Sequence, residues 1–193
     1  MAEVAIACHD PTRLGRSLRG WRALRRVKQS HAAELLGVTQ ATVSRWENGQ
    51  LAPDPDGQRA IRLLLQARLD SAADFELARM VRRSTAPVHL VCDLTHRLLA
   101  LSAARERYCR VPATELIGTS LWPCASPGII AAEARLGELG WFEPAAPAVE
   151  LQTGANDGAL IQIQDSRLRW VRFQLSDGSF ARLAETLAHG RDA

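Results

Sequence analysis

The sequence predicts an all-α N-terminal domain of about five helices followed by an α+β domain. Two observations support this prediction. Between residues 12 and 83, apolar side chains such as Leu14, Leu18 and Trp21 recur at the spacing of a buried helix face. Beyond Ser84, short runs such as RLRWVRFQL (167–175) alternate apolar and polar side chains, as strands do.

Capping residues divide the N-terminal segment into helices. Gly37 predicts the end of one helix, and Thr39 predicts the start of the next one two residues later. Gly49 predicts the end of that helix, and Ser71 with Asp74 resembles a capping box that opens a fifth helix. The buried stripe of the fourth helix is predicted from four apolar residues, Ile61, Leu64, Leu65 and Leu69.

The segment beyond Ser84 mixes strands with short helices. Two strand-like runs, VHLVCD (88–93) and RLLALS (97–102), flank a turn at 93–96 in which we expect His96 to be exposed. Short helices are predicted over 103–110, 113–117 and 128–139. Further strand-like runs follow at 149–152, 159–164, 167–175 and 179–187, with turn signals at 156–158 and 177–178.

Positive charge is concentrated near the N-terminus. The 193-residue chain carries a net charge of +3, but residues 11–50 hold 8 basic and 2 acidic residues, a net charge of +6. Residues 85–193 hold 10 basic and 12 acidic residues, a net charge of −2. A basic segment attached to a mildly acidic one favours an anionic partner for the basic segment.

The composition also argues against several classes of protein. The longest uncharged stretch, 116–132, contains two glycines and two prolines, so we predict no membrane span and no membrane partner. The cysteines are scattered and contain no C-x-x-C pair, which indicates reduced thiols in a cytoplasmic protein without a metal site. The sequence has no GxSxG motif, no glycine-rich phosphate loop and no paired-carboxylate motif, so we do not expect an enzyme.

The run QSHAAELLGVTQATVSRWENG (29–49) carries the most specific pattern. Ala33 is small enough for two helices to approach closely, and Gly37 allows the positive φ that turns the chain. Val43 and Trp46 would bury the second helix against the first. This spacing describes a helix-turn-helix, whose second helix enters the major groove of double-stranded DNA.

Side-chain chemistry suggests roles on this second, recognition helix, predicted over about residues 40–48. Gln pairs bidentately with adenine and Arg with guanine, so Gln40 and Arg45 are the principal candidate base readers. The candidate base-contacting residues on its exposed face are Gln40, Ala41, Thr42, Ser44 and Arg45. Gln29 and Thr39, at the starts of the two helices, are candidate phosphate contacts.

Residues 12–70 resemble the lambda-repressor-like (Xre-type) helix-turn-helix domains of phage and bacterial repressors. The string TQ-x-x-VS-x-WENG (39–49) carries the resemblance. It implies a structural ion pair between Arg22 and Glu47 and a DNA-backbone contact by Asn48. Lys28 stands where the family usually has Thr, Ser or Asn as the cap of the second helix. Such a weaker cap costs about 0.5–2 kcal/mol of stability. Lys28 is instead a candidate phosphate contact.

Residues 86–188 resemble a PAS domain, a sensory module in which a five-stranded antiparallel sheet lies beside short helices. The matching runs are VHLVCD, RLLALSAAR, ELIGTSLWP and RLRWVRFQLSDGSFARL. Ser102 stands where many members have Asn. Trp170 shares one face of its strand with Arg172 and Gln174, so we expect this Trp to be exposed. We place the dimer contact on this sheet face or along the helix at 71–83. Residues 71–85 are the predicted connecting helix.

The second domain is predicted to hold no cofactor. The flavin photosensor motif NCRFLQ is absent. His89, His96, Cys92 and Cys109 are haem-ligand candidates by residue type alone. A haem or a small-molecule effector therefore stays open as an alternative.

The predicted function is sequence-specific regulation of transcription by a homodimer bound to an inverted-repeat operator. The alternative is an antitoxin or adaptor whose C-terminal domain binds a partner protein.

Overall fold

The computed structural model describes residues 11–189, which divide into a helical unit, up to Gln66 and with Asp177–Ser179 assigned to it, and a sheet unit formed by the remaining residues from Ala67 onward. Cys8 and His9 lie outside the described residues. Within 11–189, no helix is long and apolar enough to cross a membrane. The helical unit contains α1 (Pro11–Leu24), α2 (Gln29–Leu36), α3 (Gln40–Glu47) and α4 (Pro55–Leu65).

The sheet unit contains the remaining elements. Its helices are α5 (Ala72–Arg83), α6 (Ala103–Glu106), α7 (Ala113–Leu116) and α8 (Pro127–Arg135), with a 3-10 turn at Trp122–Cys124. Its strands are β1 (Val88–Cys92), β2 (Leu98–Leu101), β3 (Val149–Gln152), β4 (Asn156–Asp157), β5 (Gln162–Ile163), β6 (Ser166–Gln174) and β7 (Phe180–His189). The three short helices α6, α7 and α8 end earlier than the sequence patterns predict.

Trp46 of α3 is the centre of packing in the helical unit. It is 3% exposed, and two glycines make room for it. A Cβ atom on Gly15 would lie 1.9 Å from the carbonyl oxygen of Trp46, and one on Gly57 would lie 2.8 Å from its ring. Helices α1 and α4 can therefore contact α3 closely only because these two positions lack a side chain. The predicted core residue Val43 is fully buried, whereas Leu36 is only half-buried.

The boundary between α4 and α5 differs partly from the prediction. Helix α4 ends at Leu65, because Gln66 takes an extended conformation with ψ of 126°. Leu69 is therefore not part of the α4 stripe, and it packs against the apolar cluster of the sheet unit instead. The predicted capping box at the start of α5 is confirmed, since the Ser71 hydroxyl accepts from the Asp74 N–H and the Asp74 carboxylate accepts from the Ser71 N–H.

Five strands form one antiparallel sheet in the order β2-β1-β7-β6-β3, which confirms the predicted five-stranded sheet. Helix α5 covers its outer face at β1 and β2. The short helices α6, α7 and α8 connect β2 to β3.

The strand-like run ALIQIQ (159–164) forms a strand only at Gln162–Ile163, and this strand does not join the five-stranded sheet. Gln162–Ile163 pairs only with Asn156–Asp157, in a separate two-stranded ribbon. Residues 156–157 are accordingly a strand rather than a turn. The isoleucines of this run are still more buried than its glutamines. Ile161 is buried in a cluster with Leu116 and Cys124.

The prediction that Trp170 is exposed is also wrong. Trp170 is 3% exposed and lies on the inner face of the sheet. It packs edge-on against Trp141 with ring centroids 6.4 Å apart, in a cluster with Leu168. The alternation along β6 is thus as predicted, but the face carrying Trp170 and Arg172 is the buried one.

A buried cluster of charges explains why a face with arginines can point inward. The Arg182 guanidinium lies 2.7 Å from Asp93 Oδ1 and 2.5 Å from Glu133 Oε2. Arg172 Nε donates to Asp93 Oδ2 at 2.9 Å, and Trp141 Nε1 donates to Asp93 Oδ1 at 3.1 Å. Burial raises the pKa of both carboxyls, but the arginine charges more than offset it and hold each pKa below its ordinary value.

His96 belongs to the same region, so the expectation that it is exposed is wrong. It is 8% exposed, with Nε2 lying 3.6 Å from Glu133 Oε1. Its ring lies 4.8 Å from that of Trp122, centroid to centroid. His96 adopts φ of 56°, which turns the chain between β1 and β2 and directs the side chain inward.

Candidate nucleic-acid interface

Local backbone chemistry forms the turn between α2 and α3. Gly37 ends α2 with φ of 66°, in the left-handed region that glycine occupies most readily. Thr39 caps α3, because its hydroxyl oxygen accepts from the Thr42 N–H at 3.1 Å. Lys28 occupies the capping position of α2 and makes no side-chain capping bond.

Helix α3 has one buried face and one exposed face. Val43, Trp46 and Glu47 are at most 3% exposed and anchor the helix. On the other side, Gln40, Ala41 and Arg45 are exposed, while Thr42 and Ser44 are half-buried. The sequence-predicted base-contacting residues therefore lie on or beside the exposed side. The helix itself ends at Glu47, and Asn48 is its C-terminal cap residue rather than its last helical residue.

A chain of hydrogen bonds connects the helical core to the exposed face. Arg22 and Glu47 form a two-pronged ion pair, with Nε to Oε1 and Nη2 to Oε2 both at 2.8 Å. Gln29 Nε2 also donates to Glu47 Oε2 at 2.9 Å. Gln40 Nε2 then donates to Gln29 Oε1 at 3.1 Å. The amide of Gln40 is therefore oriented by the same carboxylate that joins α1 to α3.

Electrostatics keep this link in its charged form. Burial raises the pKa of Glu47, but the hydrogen bonds from Arg22 and Gln29 outweigh it and lower the pKa below the ordinary value. The hydrogen bond to Glu47 raises the pKa of Arg22. The resemblance to lambda-repressor-like domains implies the pair of Arg22 and Glu47, but it gives no sign of the link from Gln29 to Gln40, for which the sequence carries no pattern.

The candidate phosphate contacts lie around the two helix starts and the end of α3. Lys28, Thr39 and Asn48 are exposed, and Gln29 is half-buried. Asn48 shares a surface depression with two arginines of α1, Arg16 and Arg19. The side chains at the end of α3 thus lie beside positive charge.

Residues 13–73 match the family model described as "Helix-turn-helix domain". This segment is a helix-turn-helix domain. In helix-turn-helix domains that bind DNA, the second helix of the pair enters the major groove, and α3 is the second helix of the pair here. Among curated proteins, none matches this chain.

Solved structures similar to the chain include PAS domains and a Light-Oxygen-Voltage receptor. The PAS domain of an HTR-like protein from Haloarcula marismortui shares 16% identity at a TM-score of 0.41, covering 68% of this chain and 98% of its own. A PAS domain from a two-component sensor histidine kinase shares 10% identity at a TM-score of 0.41, covering 62% and 99%. An RNA-binding Light-Oxygen-Voltage receptor shares 12% identity at a TM-score of 0.40, covering 92% of this chain and 59% of that one.

Proposed function

We propose that this chain is a sequence-specific regulator of transcription whose helix α3 reads base edges in the DNA major groove. The observation that carries the proposal is the division of α3 into two faces. Val43 and Trp46 fix the helix to the helical unit, while Gln40 and Arg45 remain exposed on the other side. A rigid helix with exposed amide and guanidinium groups meets the geometric need of base recognition.

The side-chain amide of Gln40 is oriented so that it can pair with an adenine. One N–H of its amide donates to Gln29, which leaves the carbonyl oxygen and the second N–H free to pair with adenine N6 and N7. The exposed Arg45 guanidinium matches guanine O6 and N7. Ala41 and Thr42 would contact a thymine methyl, and Ser44 either base of a neighbouring pair.

Phosphate contacts would fix the register of the domain on the duplex. Lys28, Gln29, Thr39 and Asn48 surround α3 and carry donors that suit phosphate oxygens. The basic segment 11–50 adds attraction without sequence preference, so affinity should fall steeply with salt concentration.

The regulator would act as a homodimer on an inverted repeat. Two copies of α3 about 34 Å apart would enter successive major grooves on one side of the DNA. With Trp170 buried, the dimer contact is better placed along α5, where Phe75 is 55% and Met80 56% exposed. The sheet unit would supply this contact and the response to a signal.

Selection of duplexes from a random pool by the full chain tests the proposal. The wild type should enrich an inverted repeat. Changing Gln40→Ala or Arg45→Ala should relax preference at one position of each half-site, at a cost of about 1–3 kcal/mol for the cognate base.

Arg19→Ala is the matched control, because Arg19 is an exposed arginine of the same domain that lies on α1. It should weaken binding to all sequences alike and leave the enriched motif unchanged. If both α3 variants select the wild-type motif, α3 is not the reading helix.

A further inference from the structure

The sheet unit contains a partly open cavity of about 110 Å³ between the inner face of the sheet and the short helices. Most of its lining is apolar, contributed by side chains such as Val91, Leu101, Leu116, Ile129 and Ile161. The lining contains two arginines, Arg105 and Arg182, and no carboxylate. The wall is therefore mostly apolar, and arginines are its only fully charged side chains among the lining residues.

The two arginines differ in their partners. Arg182 is neutralised by the carboxylates of Asp93 and Glu133. Arg105 has no ion-pair partner among residues 11–189, since its Nη2 donates only to the neutral oxygens of Pro87 and Thr186, at 3.1 and 2.7 Å. Its Nε is buried and has no hydrogen-bond acceptor within the described chain. The residue is half-buried and its guanidinium lies 5.9 Å from the centroid of the Tyr108 ring, but a largely desolvated cation without an anion is still costly.

Burial lowers the pKa of Arg105 to about 10, so the guanidinium stays charged at neutral pH. His89 is a second polar group on the wall whose Nδ1 is buried and lacks a partner in the described part of the chain. Burial, together with the nearby charges of Arg105 and Arg182, lowers the pKa of His89 well below its ordinary value. His89 is therefore a neutral imidazole that can donate or accept one hydrogen bond here.

We propose that this cavity binds a short-chain monocarboxylate whose carboxylate pairs with Arg105 and His89 and whose apolar tail fills the rest of the space. The proposal rests on the signal-sensing role proposed above and gives that signal a chemical class. A carboxylate supplies the counter-charge that the Arg105 guanidinium lacks in the described part of the chain. The leucine and isoleucine side chains of the wall favour an apolar tail.

The volume limits the size of this ligand. An apolar protein cavity of about 150 Å³ holds a benzene molecule, so about 110 Å³ fits a ligand of about the size of butyrate. Pockets for drug-sized ligands are larger, about 300–1,000 Å³. Haem does not fit this space. Of the four haem-ligand candidates, Cys92 lies away from the cavity, in the apolar cluster that includes Ala78 and Val81 of α5.

Isothermal titration calorimetry of the full chain, without DNA, compares butyrate with the neutral isostere butyramide. The wild type should bind butyrate about tenfold more tightly than butyramide, because a hydrogen bond between charged groups is stronger than one to a neutral group. The change Arg105→Met should reduce butyrate affinity by about 10- to 100-fold and leave butyramide affinity unchanged. Arg107→Met, two residues away and exposed, should behave as the wild type.

Equal affinity for butyrate and butyramide, no binding of either, or wild-type butyrate affinity in the Arg105→Met protein would overturn the proposal. If circular dichroism shows that Arg105→Met does not fold, the ratio of the two wild-type affinities decides alone. Because no DNA is present, these results are independent of the duplex selection. If the chain selects an operator but does not bind butyrate, the proposed function stands and only the proposed ligand is wrong.

Discussion

Replacing Arg182 by Met should lower the free energy of unfolding by about 3–5 kcal/mol near pH 7. Arg182 is 3% exposed and contacts both Asp93 and Glu133. Methionine fills the same space but leaves two buried carboxylates with too little positive charge around them. Removing one member of such a cluster costs far more than the net contribution of the intact ion pair, since the remaining charges stay buried.

The loss should depend on pH in a definite direction. In the wild type the pKa values of Asp93 and Glu133 are depressed, so their stabilisation is present above the unfolded-state pKa, about 4, and is lost as the pH falls through the folded-state values. In the variant the uncompensated carboxyls have raised pKa values and protonate more readily. The difference between the two proteins should therefore shrink as the pH is lowered from 7 to 4.

Urea denaturation across this pH range measures the effect. Arg169→Met, an exposed arginine on the neighbouring strand, is the matched control and should change stability by no more than about 0.5 kcal/mol. A loss below 1 kcal/mol at pH 7, or a loss that is independent of pH, would show that the charge cluster does not stabilise the fold in this way.

Replacing Gly15 by Ala should destabilise the helical unit by about 3 kcal/mol. The new Cβ would lie 1.9 Å from the carbonyl oxygen of Trp46, a backbone atom that cannot rotate away. Helix α1 would have to move away from α3, which loosens the packing that holds the recognition helix.

Gly20→Ala on the same helix separates this clash from helix propensity. A Cβ at Gly20 meets no atom within 4 Å, so the change should stabilise the protein by about 0.5–1 kcal/mol. Thermal unfolding followed by circular dichroism compares the two variants. Equal stability of the two would mean that α1 and α3 are not in close contact at Gly15.

The parts of the site that depend on local chemistry could be predicted from the sequence. Gly37 ends α2 because glycine tolerates a positive φ, and Thr39 starts α3 because its hydroxyl can accept a backbone N–H. The two faces of α3 follow from helical spacing. These features need only residues that lie close together along the chain.

Features that depend on distant residues could not be predicted. The alternation along β6 identifies two faces, but which one is buried depends on Asp93 and Glu133, far away in sequence, which make an inward arginine tolerable. The glycines at 15 and 57 matter only because Trp46 packs against them. The link between Gln29 and Gln40 likewise needs the positions of two helices.

Guanine methylation interference on the selected operator tests most directly whether α3 reads bases. Dimethyl sulfate methylates guanine N7, the atom that Arg45 should contact in the major groove. For the wild type, methylation of one guanine in each half-site should block binding, and for Arg45→Ala the same methylation should have no effect on the remaining affinity. If methylation interferes equally with both proteins, or with neither, Arg45 does not contact guanine in the major groove and the account of α3 is wrong.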